Sequence, residues 1–144
     1  MQRHRLAGFA FGIVVLLTAG CGSKANVAGT PTNKVNAIEL GRSLNADRTI
    51  KDPADVFQPT DTIYASIETE TLGSAKLTTR WTFEDGQTVD SVTQAVPATG
   101  GVIRSEFHVW KPDGWPVGKY HLQVTLDSTV SGVKEFTVKV GPPA

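Results

Sequence analysis

Cysteine is nearly absent from this chain: Cys21 is the only one in 144 residues. That excludes an internal disulfide and a cysteine-rich metal centre, so any folded domain here is held by apolar packing. An excess of charge of one sign is also lacking, because 14 Lys and Arg face 14 Asp and Glu. Nucleic acid demands a basic face, so this balance argues against such a partner and against polybasic attachment to a membrane. Nor is there an apolar run of the roughly 20 residues that a membrane-spanning helix needs. Leu6–Leu17 falls short of it, and the chain turns polar soon after Gly20. The sequence has no EF-hand loop, Walker loop, Gly-x-Ser-x-Gly elbow or zinc-protease helix. No cofactor is implied, and an enzyme on this chain would need a site that motifs do not show.

What the chain does have begins at its N-terminus. A basic start (Arg3, His4, Arg5), the apolar stretch Leu6–Leu17 and the small residues Thr18-Ala19-Gly20 form the three parts of a secretory leader. The segment Leu17-Thr18-Ala19-Gly20-Cys21 resembles the lipobox of bacterial lipoproteins, with Thr18 where leucine is commonest and Leu17 one place further out. The resemblance implies a diacylglyceryl group on the Cys21 thiol, cleavage after Gly20 and acylation of the new amino terminus. Gly22, rather than Asp, after the cysteine points by the same resemblance to the outer membrane. Two or more acyl chains suffice for stable anchoring, each buried methylene contributing about 0.8 kcal/mol. The same small residues also suit an ordinary signal peptidase, which would release a soluble chain with a free thiol.

The expected organisation is therefore a signal peptide over 1–20, a lipidated start and flexible tether over 21–34, one domain over 35–141 and a short tail over 142–144. Processing removes Arg3 and Arg5, leaving 12 basic residues against 14 acidic ones. Gly22–Asn33 is rich in Gly, Ser, Ala, Asn and Thr and lacks apolar periodicity, as a tether does; as a coil it spans about 20 Å.

From Val35 the pattern changes to short alternating runs separated by turn residues, which predicts an all-β sandwich of about seven antiparallel strands. Val35–Leu40 reads as the first strand. Asp52-Pro53-Ala54-Asp55 reads as one helical turn with Asp52 as N-cap, and Phe57 returns the chain to the core. Thr62–Glu68 puts Ile63, Ala65 and Ile67 on one face, and Lys76–Phe83 does the same with Leu77, Trp81 and Phe83. Asp85-Gly86 signals a hairpin. Thr88–Val96 is a more polar edge strand. Ile103–Trp110 contributes Phe107 and Val109, Lys119–Leu126 contributes Tyr120, Leu122 and Val124, and Lys134–Val140 contributes Phe136, Val138 and Val140.

Two details resemble immunoglobulin-like and fibronectin III-like domains. Trp81 lies mid-strand in the third strand, where immunoglobulin domains bury a tryptophan, and Gly118-Lys119-Tyr120-His121-Leu122 resembles the start of their sixth strand with its tyrosine corner. Leu122 and the apolar residues of Thr62–Glu68 stand where antibody domains carry their cysteine pair, so the likeness is one of architecture. Phe57–Tyr64 and Lys111–Tyr120 also resemble segments of small bacterial lipoproteins, which brings no activity.

Candidate binding residues are Trp110, Asp113 and Trp115 around the turn Pro112-Asp113-Gly114. Two tryptophans bracketing a rigid turn make a stacking platform for a sugar ring or a hot spot for a protein; alternatively Trp115 folds back over the core. His108 and His121 oppose inward neighbours and lack a third ligand at zinc spacing. Glu68 and Glu70 share a strand face, as paired carboxylates in acid–base chemistry do, but solvated strand ends also explain them. The Thr88–Val96 edge either invites a partner's strand or discourages it. The function expected is a non-catalytic, membrane-anchored envelope lipoprotein that binds or supports another envelope component, a protein, with a glycan as the alternative ligand.

Overall fold

The computed structural model describes residues 32–142. The expected leader, Cys21 and most of the expected tether lie outside the described residues, as do Pro143 and Ala144. Eight strands occur, β1 Lys34–Gly41, β2 Val56–Phe57, β3 Ile63–Thr71, β4 Ala75–Phe83, β5 Gln87–Val96, β6 Gly101–Val109, β7 Gly118–Leu126 and β8 Thr129–Val138. They form a three-stranded sheet in the order β1-β3-β6 and a five-stranded sheet in the order β2-β8-β7-β4-β5. Every pairing is antiparallel except the short parallel contact of β2 with β8. There is no helix among the described residues.

Period-two alternation places the core between the sheets. Phe57, Ile63, Ile67, Leu77, Trp81, Phe107, Val109, Tyr120, Leu122, Val124, Phe136 and Val138 are all buried. Phe83 is half-buried and packs on the margin of this cluster, because it lies at the β4 end beside the hairpin turn. At the centre, Trp81 meets Phe136 edge-on at 5.8 Å between centroids, and Phe136 stacks on Tyr120 at 5.1 Å.

Three expectations need correction. Asp52–Asp55 is not a helical turn but an irregular segment with an isolated bridge at Pro53. Pro53 bridges Gly41, Arg42 N–H donates to the Asp52 carbonyl at 2.9 Å and Ala54 N–H donates to the Leu40 carbonyl at 3.0 Å. Backbone groups that a helical turn would use locally are taken by the end of β1. Gly41 allows this approach, since a Cβ there would collide with Ile50 and the Asp52 carbonyl. Next, β8 starts earlier than Lys134 and stops at Val138, so Val140 is exposed rather than in the core. Finally, β2 adds an eighth strand too short for periodicity to show.

The tyrosine corner is present: Tyr120 Oη donates to the Pro116 carbonyl at 2.6 Å. Burial first, then the nearby Glu84 carboxylate, push the Tyr120 hydroxyl up to about 12. The unfolded chain would ionise near 10, so the neutral phenol's contribution to stability is complete below pH 10. It is lost as pH rises from about 10 through about 12. Alkaline melts of the native chain are expected to show a fall on the order of 2 kcal/mol across that window. Tyr120→Phe should start less stable by about 1 kcal/mol for the lost hydrogen bond and show a flatter profile there. An equally steep fall in the variant would assign the alkaline transition to another group.

Candidate functional site

The loop between β6 and β7 is the place to look for a binding residue, and the structure divides its candidates. Lys111 closes the Pro112-Asp113-Gly114 turn by accepting the Gly114 N–H at 3.0 Å, with Gly114 at φ 80°. That turn sends Trp115 inward. Its backbone N–H donates to the Pro59 carbonyl at 2.8 Å, and its indole N–H donates to the Asp61 carbonyl at 3.0 Å. The ring meets Tyr120 edge-on at 5.4 Å. Trp115 is only 2% exposed, whereas Trp110 is 58% exposed. The paired-tryptophan platform is therefore corrected: Trp110 and Asp113 face solvent, and Trp115 caps the core. Burying an indole with both its N–H and its ring satisfied leaves no face for a sugar.

This end of the sandwich is held by residues that no motif announces. The Asp61 carboxylate accepts from Gln58 N–H at 2.8 Å and from Arg42 Nε at 3.1 Å, while the Arg42 guanidinium lies over the Phe57 ring at 5.4 Å. Arg42, Gln58 and Asp61 therefore serve the cap under Trp115. They are separated in sequence, so only the fold brings them together.

The titratable candidates are dispersed. His108 sits on β6 in the three-stranded sheet, against Glu106 and over the Tyr64 ring at 5.4 Å. His121 sits on β7 in the other sheet, 3.9 Å from Glu135. Two histidines on different sheets cannot share a metal ion, and among the described residues no group of three ligating side chains occurs. Glu68 and Glu70 do share the outer face of β3, but Glu68 pairs with Arg104, and Glu70 with Lys34 at 3.0 Å. Carboxylates neutralised this way are surface ion pairs, not a nucleophile and its base. The depression beside Thr32, Asn33, Leu72 and Thr129 has Asp127 as its one acid, and Asp127 Oδ1 already accepts the Lys76 N–H at 3.0 Å.

The strand edges are the other candidate surface, and all four are blunted. On β5, the ladder slips between Trp81 and Thr82, leaving Val89 as an extra residue, and Asp90 occupies the row of the inward-facing Trp81. On β8, Lys134 occupies the row of the inward-facing Leu122, and β2 covers the far end. β1 has a register slip between Val35 and Ala37. On β6, the Arg104 carbonyl accepts from Arg48 Nη1 at 3.0 Å, and the Glu106 carbonyl accepts from Gln94 Nε2 at 2.9 Å. Bulges, inward-facing charges and side-chain capping are the devices that keep a sheet from adding strands. The Thr88–Val96 strand thus carries the features that discourage pairing.

No family model matches the chain, and no curated protein matches it. Solved structures do. An immunoglobulin-like protein from Pseudomonas aeruginosa superimposes with a TM-score of 0.54 at 16% identity, covering 76% of this chain and 98% of that one. The alkylpurine DNA glycosylase AlkC of Pseudomonas fluorescens, bound to DNA containing an abasic-site analog, gives a TM-score of 0.50 at 13% identity. That match covers 75% of this chain and 30% of the glycosylase. At these identities the likeness speaks for fold alone. The described domain is an all-β, immunoglobulin-like sandwich.

Proposed function

We propose that this chain is a lipid-anchored, non-catalytic envelope protein whose sandwich binds or supports another envelope component, a protein, through a sheet face. One observation carries the anchor: the lone Cys21 stands directly after Leu17-Thr18-Ala19-Gly20, behind a leader-like apolar stretch. The sandwich supports the rest, because its carboxylates and histidines are spread in surface pairs and its edges are closed to strand addition. A glycan module on Trp110 and Trp115 has no support, since Trp115 is inside.

The test is Cys21→Ser in cells. The variant is expected to keep the fold, lose palmitate labelling and move from the membrane to the soluble fraction. A variant that still sediments with membranes after processing removes the anchor. Crosslinking in intact cells, read by mass spectrometry, is expected to capture one stoichiometric protein partner with the wild-type chain; a clean monomer removes the partner.

A further inference from the structure

We propose that a cleft at the β4–β5 hairpin end of the sandwich is a binding site for a small aromatic monocarboxylate. The site depends neither on the anchor nor on a protein partner.

The cleft measures about 140 Å³ and lies between the turn that joins β4 to β5 and the loop that joins β6 to β7. Its apolar walls are Phe83, Val89, Pro116 and Tyr120. Two features of the fold shape them. Phe83 and Tyr120 tilt against each other at 49° with centroids 4.8 Å apart, so their rings close one side. The Tyr120 hydroxyl is already committed to the Pro116 carbonyl at 2.6 Å, so this residue offers the cleft its ring rather than a free hydroxyl. On the other side, the β4–β5 ladder passes from Trp81–Asp90 to Thr82–Thr88 and leaves Val89 without a partner. A bulged residue is re-aimed out of the regular alternation, and here it lines the cleft. A space of about 150 Å³ walled by apolar side chains accommodates one benzene ring. The cleft therefore selects for a single ring or a group of that size.

The polar side chains around this ring site can all donate. Gln87, Thr88 and Lys111 line the same cleft, and no carboxylate does. Thr88 Oγ1 accepts from Arg80 Nε at 3.0 Å, which leaves its own hydrogen to donate. Lys111 gives the sign of the ligand. The other described lysines, Lys34, Lys51, Lys76, Lys119, Lys134 and Lys139, are exposed, whereas Lys111 is half-buried. Among the described residues no carboxylate pairs with it. The acids nearest in sequence to the lining, Glu84, Asp85 and Asp113, are exposed and lie outside it.

A charge drawn partly out of water without a counter-ion is unfavourable, and a ligand carboxylate supplies that counter-ion. A lysine beside apolar surface lays its stem along the wall and keeps its charge at the water side. Ring inside and anion at the mouth is the arrangement that benzoate presents. An ion this small binds so small a site with a Kd on the order of 1 mM.

The experiment titrates benzoate into the full isotope-labelled chain carrying Cys21→Ser and follows amide shifts by NMR. Saturable shifts are expected at Gln87, Thr88, Val89, Lys111 and Tyr120. Benzylamine, the same ring with the opposite charge, should give none, and acetate, the charge without the ring, should bind about tenfold more weakly than benzoate. Lys111→Met should weaken benzoate about fivefold. Val89→Phe, which fills the cleft, should abolish saturation, and Lys134→Met on β8 should leave the Kd unchanged. Circular dichroism confirms that each variant is folded. Shifts that do not saturate, or that scatter over both sheets, overturn the proposal. So does benzylamine binding as tightly as benzoate, native affinity in Lys111→Met, or saturable binding by the filled Val89→Phe cleft.

Discussion

Trp115→Ala is expected to lower the unfolding free energy by about 3–5 kcal/mol, the range for truncating a buried aromatic. Three losses combine. The ring fills the end of the core against Tyr120 and Phe136 at 5.4 and 6.1 Å, so its removal leaves a cavity that neighbouring strands cannot close. The Asp61 carbonyl, partly buried, loses its indole donor, a hydrogen bond contributing about 1 kcal/mol. The turn that carries Pro116 also loses its inward anchor, and with it the geometry of the Tyr120 hydrogen bond. Trp110→Ala, by contrast, is expected to shift stability by no more than about 0.5 kcal/mol, as an exposed substitution does. Urea melts of the two variants at neutral pH separate them. Similar losses from both would mean that Trp110 packs as Trp115 does, and no loss from Trp115→Ala would return that ring to solvent. Typical domains have only 5–15 kcal/mol in total, so the first variant approaches the limit of folding.

The strands of this domain were legible because alternation is a local property. Leu77, Thr79 and Trp81 on β4, and Tyr120, Leu122, Val124 and Leu126 on β7, can be assigned to one side without knowing what they touch. The tyrosine corner was legible for a similar reason, since Tyr120 and Pro116 are four residues apart. What stayed hidden depends on residues far apart in the chain. Nothing near Trp115 in sequence says that Pro59 and Asp61 supply its acceptors, and both directions of the ring suit a Pro-Asp-Gly-Trp turn. Asp52-Pro53 satisfies the rules for starting a helix, yet β1 offers the backbone better partners. Conflicts of this kind go to the long-range hydrogen bonds whenever they are complete.

The edge strand shows the same limit from another side. Thr88–Val96 is polar enough to be an edge and carries Asp90, but invitation and discouragement use the same composition. The register decides. Asp90 opposite Trp81 faces the core side, where a partner strand would have to bury a carboxylate, and the slip at Val89 twists the edge out of line. Gln94, which sequence gives no role, spans to the other sheet and takes the Glu106 carbonyl.

Trp81 is the second position where a large effect is expected, and its substitutions separate packing from hydrogen bonding. The ring is fully buried in the middle of β4 and meets Phe136 edge-on at 5.8 Å. Trp81→Ala should therefore cost about 3–5 kcal/mol. Its indole N–H, unlike that of Trp115, is buried without a hydrogen-bond partner. A buried donor left unpaired is unfavourable by about 1–3 kcal/mol, so part of what the ring gains by packing is offset at one atom. Trp81→Phe removes that donor and keeps an aromatic ring on Phe136, at the expense of a smaller volume. The two terms oppose each other, and the phenylalanine variant is expected to lose less than half of what the alanine variant loses. At Trp115 the order differs: phenylalanine there forfeits the bond to Asp61 as well as volume, so Trp115→Phe should cost more than Trp81→Phe. Denaturant melts of the four variants measure this directly. Equal losses for the two phenylalanine variants would show that the Trp81 N–H does find a partner. A loss below about 1 kcal/mol for Trp81→Ala would mean that β4 is set one residue out of register, which turns Trp81 to solvent.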